Sequence, residues 1–170
     1  DLAPIEALAR ALDREGLNVR ALYVASLKDR DTGNFVASRL RDWSPQVVLN
    51  ATAFSARLDD APSPLEAAGA PILQVVFAGS SREAWKNSPR GLSQSDHAMQ
   101  VVLPELDGRL LTTAISFKAE ESEVAGLEFA RVAHQPAPEG VAAAARSAGS
   151  RVSPSSRRRP AASSKESRGA

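Results

Sequence analysis

Residues 46–51 (QVVLNA) and 72–78 (ILQVVFA) are short runs that stay largely apolar on successive positions instead of alternating with polar ones. A strand of that kind has to be covered on both faces, because neither side can be left in water. Helical patterns surround the two runs. In residues 3–15, Ile5, Leu8, Ala9 and Leu12 fall at helical spacing, with Pro4 in the first turn and Gly16 as the stop. Residues 31–43 put Phe35, Val36, Leu40 and Trp43 on one side before Pro45 ends the pattern. Residues 65–68 suit a short helix. Gly79 and Ser80 open another, with Ser80 and Glu83 at the spacing of a capping box, and Ser93 begins a further one.

Two more strands are expected. Residues 17–26 (LNVRALYVAS) have the β-branched and aromatic content of one, and 109–117 alternate enough for the other. Helices alternating with strands imply crossovers between parallel neighbours. The expected architecture is therefore α/β, half of a doubly wound, mainly parallel sheet of flavodoxin or Rossmann-like shape. Ligands of such sheets bind beyond the carboxyl ends of the strands. Here those ends are residues 26–28, 50–55 and 78–81, most of them small or polar.

The 170 residues suffice for one domain with a sizeable core, placed at residues 1–135. From Arg146 onward seven basic residues face one acid, a local charge of +6 that leaves −5 for residues 1–145. The sequence pI near 8.4 therefore describes the end of the chain. Residues 136–170 are rich in Pro, Ser, Ala and Arg and hold no aromatic residue, so a disordered low-complexity basic tail is expected there. Without aromatic interleaving that tail is not expected to recognise nucleic acid specifically. The absence of cysteine excludes disulfides, thiolate metal sites and cysteine nucleophiles. No apolar run approaches the ~18 residues that span a bilayer, so no membrane partner and a cytoplasmic location are expected. A chain that starts at Asp1 reads as a piece of something longer.

Residues 99–109 (MQVVLPELDGR) carry the densest chemistry. Pro104 is expected to stop a helix, since it lacks an N–H and its ring clashes with the preceding turn. Gly108 supplies the turn geometry that reverses the chain. Glu105 and Asp107 are then two carboxylates on a stiff corner, which suits acid–base work, a hard cation or simply a polar turn. Asn50, Thr52 and Ser55 fit hydrogen bonding to a carboxylate or amide substituent, and equally the capping of neighbouring elements. Ser80 and Ser81 fit an anion or a helix cap. His97, eight residues before Glu105, fits a metal or proton-relay role as well as a plain surface position. No phosphate-binding loop is present. Trp43 and Trp85 are read as packing residues.

Residues 71–76 (PILQVV), 79–85 (GSSREAW), 88–92 (SPRGL) and 100–109 (QVVLPELDGR) resemble the large subunit of aerobic cobaltochelatase, the CobN type. Residues 50–55 (NATAFS) and 114–118 (AISFK) extend the resemblance, which covers about residues 1–135. The large subunit of magnesium chelatase is similar through the same glycine-leucine and Pro-Glu-Leu-Asp-Gly elements, while GSSREAW and ISFK lean towards the cobalt enzyme.

The resemblance implies a tetrapyrrole- and metal-binding subunit, a ligase of cobalamin biosynthesis that inserts Co²⁺ into hydrogenobyrinic acid a,c-diamide. Co²⁺ is then a substrate. ATP and Mg²⁺ belong to two ATPase-type partner subunits and not to this chain. The implied proton- and metal-handling residues are Glu105 and Asp107, with His97 beside Glu105 as a metal ligand. Asn50, Thr52, Ser55, Ser80, Ser81 and Gln100 are the candidates for the tetrapyrrole. The family's subunit is many times longer, so this piece alone is expected to be inactive. Where the resemblance stops, a shifted reading frame from about residue 140 is expected. Two rival readings are a magnesium chelatase homologue of (bacterio)chlorophyll synthesis and an isolated flavodoxin-like module for a small ligand.

Overall fold

A computed structural model describes residues 2–57, 61–89, 91–121 and 131–157, with the backbone alone described at 121 and 131. Helix α1 (Ala3–Arg14) takes Pro4 in its first turn, and Gly16, at φ 77°, follows its end. Helix α2 (Arg30–Trp43) is capped by Asp29, whose carboxylate accepts from the Thr32 N–H at 2.8 Å. Hydrogen bonding from the Thr32 side chain, and then from its backbone N–H, holds the Asp29 carboxyl below its ordinary pKa. Strand β1 (Val48–Asn50) follows, then a 3₁₀ turn (Pro64–Ala68) closed by a full capping box between Ser63 and Glu66.

Strand β2 (Ile72–Ser81) runs into α3 (Arg82–Asn87). The cap of α3 is Ser81, which accepts from the Ala84 N–H, and not Ser80 as the Ser80–Glu83 spacing predicts. Next come α4 (Gln94–His97), a π turn (Ala98–Val102) and α5 (Leu103–Leu106), which join as one continuous helix. Strands β3 (Leu110–Glu121) and β4 (Arg131–Pro136) and helix α6 (Pro138–Gly149) complete the order, followed by a 3₁₀ turn (Pro154–Ser156).

The sheet order is β1-β2-β3-β4, parallel at the first two pairings and antiparallel at the third. This is the mainly parallel α/β sheet expected, with apolar cover on both faces. Alternate residues of β2 divide between the faces, as strand geometry requires. Leu73 and Val75 join Leu8, Leu12, Ile115, Val141 and Ala144 beneath α1 and α6. Ile72 joins Leu27, Val36, Leu40 and Leu65 beneath α2 and the 3₁₀ turn. Trp85 packs on Phe117 with ring centroids 5.3 Å apart, the packing role expected of it.

Three expectations fail for identifiable reasons. Residues 17–26 form no strand: they find no sheet edge, their ends are pinned by buried Leu17 and Leu27, and Tyr23 between them is 84% exposed. Strand propensity is a fit to a pleated, half-buried surface, and that surface is absent here. Pro104 does not stop the helix. The Leu103 N–H bonds back to the Ala98 carbonyl, and this wider π turn accommodates the proline ring where a regular turn would clash. The expected tail from residue 136 is folded structure as far as 157. In α6 residues Gly140, Val141, Ala144, Ala145 and Ala148 are all buried. A Cβ on Gly140 would lie 1.9 Å from the Ala114 carbonyl oxygen, so α6 meets β3 backbone to backbone. Residues 158–170, the rest of that expected tail, lie outside the described residues.

Candidate functional site

Strand β1 is short, and this places the chemistry. Asn50 pairs with Gln74 of β2, which in turn pairs with Leu111 near the start of β3. The loop leaving β1 therefore emerges over the face of the sheet and reaches the corner that precedes β3. That corner is a Schellman motif. The Arg109 N–H bonds the Pro104 carbonyl at 3.2 Å and the Gly108 N–H bonds the Glu105 carbonyl at 2.9 Å, with Gly108 at φ 74°.

The two carboxylates of the corner part company. Glu105 is exposed, whereas the Asp107 side chain is 1% exposed and the Arg109 side chain 0%. Arg109 Nη2 donates to Asp107 Oδ2 at 2.8 Å; Ser55 Oγ donates to Oδ1 at 2.6 Å and the Ala56 N–H to Oδ2 at 2.5 Å. Arg109 Nη1 also donates to Gln74 Oε1 at 3.2 Å and to the Thr52 carbonyl at 3.3 Å. Burial lowers the pKa of the guanidinium and the Asp107 charge opposes that shift. Asn50 Nδ2 donates to Gln74 Oε1 at 2.8 Å, and Thr52 Oγ1 donates to Asn50 Oδ1 at 3.0 Å.

A second cluster holds the far end of β2. Gln100 on the π turn accepts from the Phe77 N–H at 2.9 Å and donates to the Phe77 carbonyl at 2.6 Å, imitating a neighbouring strand where the register with β3 shifts. One turn earlier, buried Asp96 accepts from the Gly79 N–H at 3.0 and 3.1 Å. The two clusters are linked by the Phe54 N–H, which bonds the Met99 carbonyl at 2.7 Å.

Two clefts open on either side of this link. One, of about 430 Å³, lies between residues 25–28 and 52–56. The other, of about 530 Å³, is lined by Ser80, Ser88, Leu92, Gln94 and His97 among others. Two of the three expected ligand-binding ends thus share the first cleft, and the third borders the second.

The candidate residues separate accordingly. Asn50, Thr52, Ser55 and Asp107 bond one another or the frame around them, Gln100 is committed to Phe77, and Ser81 caps α3. Each has a hydrogen-bond partner within the chain; Thr52 and Ser55 also line the smaller cleft, and Ser81 is exposed. Ser80 Oγ is buried with no hydrogen-bond partner among the described residues. His97 and Glu105 are both exposed but eight residues apart on one continuous helix, about 12 Å along its axis, too far to share an ion. Among the described residues, no three His, Asp or Glu side chains cluster to hold a metal.

Sequence reasoning passed over Arg109, Asp96 and Phe54. One signal was available. Gln74 interrupts an apolar run buried on both faces, and such an amide needs a built partner.

The CobN/magnesium chelatase family matches residues 1–159. This chain belongs to that family. The match continues through α6, so the reading-frame change expected from about residue 140 finds no support over 140–159. An aerobic cobaltochelatase subunit CobN of a Sinorhizobium species is 46% identical over 136 residues, covering 78% of this chain and 11% of that protein. The protein of the same name from Pseudomonas aeruginosa is 35% identical over 120 residues, covering 65% of this chain and 9% of its own length. The chain thus spans about a tenth of the curated relatives it matches. Among solved structures, the catalytic subunit of cobaltochelatase from Mycobacterium tuberculosis superposes with TM-score 0.71 at 29% identity, over 85% of this chain and 12% of that one. Among the described residues no helix is long and apolar enough to cross a membrane.

Proposed function

We propose that these residues are a segment of a cobaltochelatase large subunit, a cytoplasmic ligase that inserts Co²⁺ into hydrogenobyrinic acid a,c-diamide in cobalamin biosynthesis. Two ATPase-type partner subunits hydrolyse ATP with Mg²⁺, and the segment by itself is inactive. The observation that carries the site assignment is the split at the corner. Asp107 is used up by Arg109, Ser55 and Ala56, which leaves Glu105 as its one exposed carboxylate. Insertion releases two pyrrole protons, and a carboxylate on a rigid corner suits their acceptance or the handing on of the incoming ion.

Asp107 is correspondingly reassigned from catalysis to holding the corner. His97, remote from Glu105, is a rim residue of the larger cleft. Cobalt is preferred to magnesium because both named curated relatives are cobaltochelatase subunits. The test is insertion by the full-length subunit with its two partners and ATP, offered Co²⁺ with hydrogenobyrinic acid a,c-diamide or Mg²⁺ with protoporphyrin IX. Turnover of the first pair alone is expected. Turnover of the second alone would transfer the segment to magnesium chelatase, and turnover of neither would sink the chelatase reading.

A further inference from the structure

Phe54 occupies a backbone conformation that its side chain does not explain. Its φ is 65°, a region in which a bulky aromatic residue is an outlier. Ser44 is the other described non-glycine residue at positive φ, and it sits in the ordinary place, the carboxyl cap of α2. Phe54 caps nothing. A turn that needed this geometry alone would be better served by glycine or asparagine.

The conformation is imposed from both sides. Before Phe54, the Thr52 carbonyl accepts from Asn50, Gln74 and Arg109. After it, Ser55 and Ala56 are fastened to the Asp107 carboxylate, and the Phe54 N–H is tied to Met99. Thr52, Ser55 and Ala56 are thus anchored, yet the Phe54 side chain is left 50% exposed on the 430 Å³ cleft. Strain of this kind persists only where the surrounding bonds over-determine it, and here it leaves an apolar ring half exposed to solvent.

Across the cleft stands Lys28, exposed and making no ion pair among the described residues. Its backbone N–H is turned by the Ser26 hydroxyl at 3.1 Å. An aromatic face and a single ammonium on one cleft suit a ligand that joins an apolar conjugated ring to peripheral carboxylates.

We propose that Phe54 is the surface on which the conjugated macrocycle of the substrate lies, and that Lys28 pairs with one of its peripheral carboxylates. The buried Asp107–Arg109 pair then acts as a positioning device, since it holds the loop that presents the ring. This inference rests on the tetrapyrrole reading above and names two of its contacts.

The test is a titration of hydrogenobyrinic acid a,c-diamide into the full-length subunit, read by corrinoid absorbance, for the native protein and for Phe54→Gly, Phe54→Leu and Lys28→Gln. Phe54→Gly removes the ring and relieves the backbone. It should weaken binding roughly three- to tenfold while leaving the melting temperature unchanged or raised. Phe54→Leu, which keeps apolar bulk without a flat face, should lie between it and the native protein. Lys28→Gln should weaken binding by a few-fold at low salt and match the native protein at high salt.

If the native subunit binds and Phe54→Gly binds equally well, the platform is refuted while the chelatase reading stands. If Phe54→Gly loses both binding and several degrees of melting temperature while Phe54→Leu behaves as native, the ring is a packing residue and the proposal falls. If the native subunit does not bind the corrinoid, the chelatase reading fails first and takes this inference with it.

Discussion

Replacing Asp107 by asparagine is the sharpest probe of how the corner is held, because shape is kept and charge is removed. The carboxylate meets three donors, Arg109 Nη2 at 2.8 Å, the Ala56 N–H at 2.5 Å and Ser55 Oγ at 2.6 Å. Asparagine has one acceptor oxygen, so its NH₂ must face at least one of those donors. The larger effect is on Arg109, whose side chain is 0% exposed and would be left charged, buried and unpaired. Breaking such a pair from one side costs about 3–5 kcal/mol. For a chain of this size that lowers the melting temperature by about 10 °C. Thermal unfolding by circular dichroism, with urea titration as a check, measures it. The double variant Asp107→Leu/Arg109→Met removes both charges and should recover part of the loss, because no ion is left behind although the Ala56 N–H and the Ser55 hydroxyl still lose their acceptor. A loss below about 1 kcal/mol for Asp107→Asn would refute the claim that the ion pair holds the corner, and so would a double variant no better than the single one.

Two further outcomes follow from the packing. Gly140→Ala drives a Cβ to 1.9 Å from the Ala114 carbonyl and must push α6 off β3, so a loss of about 3 kcal/mol or more is expected in urea unfolding. An unchanged midpoint would mean that α6 does not pack as described. Burial, with Lys118 adding to it, pushes His134 below its ordinary value of 6.5, while Asp96 opposes. The folded state therefore resists a proton that the unfolded chain accepts, and stability falls as pH drops below about 6.5 towards the lowered folded value. His134 Nδ1 lies 3.0 Å from Ser116 Oγ, so His134→Gln should flatten that part of the pH profile. An identical profile in the variant would remove His134 as the cause.

Much of the architecture was legible because it rests on local rules. The helices at 3–15 and 31–43 follow from spacing and caps, and the runs at 46–51 and 72–78 from apolar continuity. The failures share a different origin. Residues 17–26 have strand chemistry but no edge to pair with, a fact that belongs to the whole sheet. Helix α6 was hidden because it binds through small residues. Gly140, Ala144 and Ala148 contribute little apolar area each, but they let the helix backbone approach β3 closely, and hydrophobicity counts do not register proximity. Pro104 misled because the accommodation lies upstream, in the π turn.

The candidate site was half legible. Sequence marked the corner and the strand-end loops, and the fold does bring residues 25–28 and 52–56 around one cleft. It could not tell Glu105 from Asp107, because their separation depends on Arg109, two residues on in sequence, folding back beneath the corner. Nor could it reveal Phe54, whose strained backbone is set by hydrogen bonds to residues as distant as Met99 and Asp107.

The central claim is that Glu105, and not Asp107, is the carboxylate that handles protons or the ion during cobalt insertion. The direct measurement is single-turnover Co²⁺ insertion by the assembled enzyme carrying Glu105→Gln, with corrinoid binding and melting temperature followed alongside. The account predicts insertion slowed by roughly 100-fold, with binding and melting unchanged. Native insertion rates in that variant would contradict it, leaving the corner as a turn and nothing more.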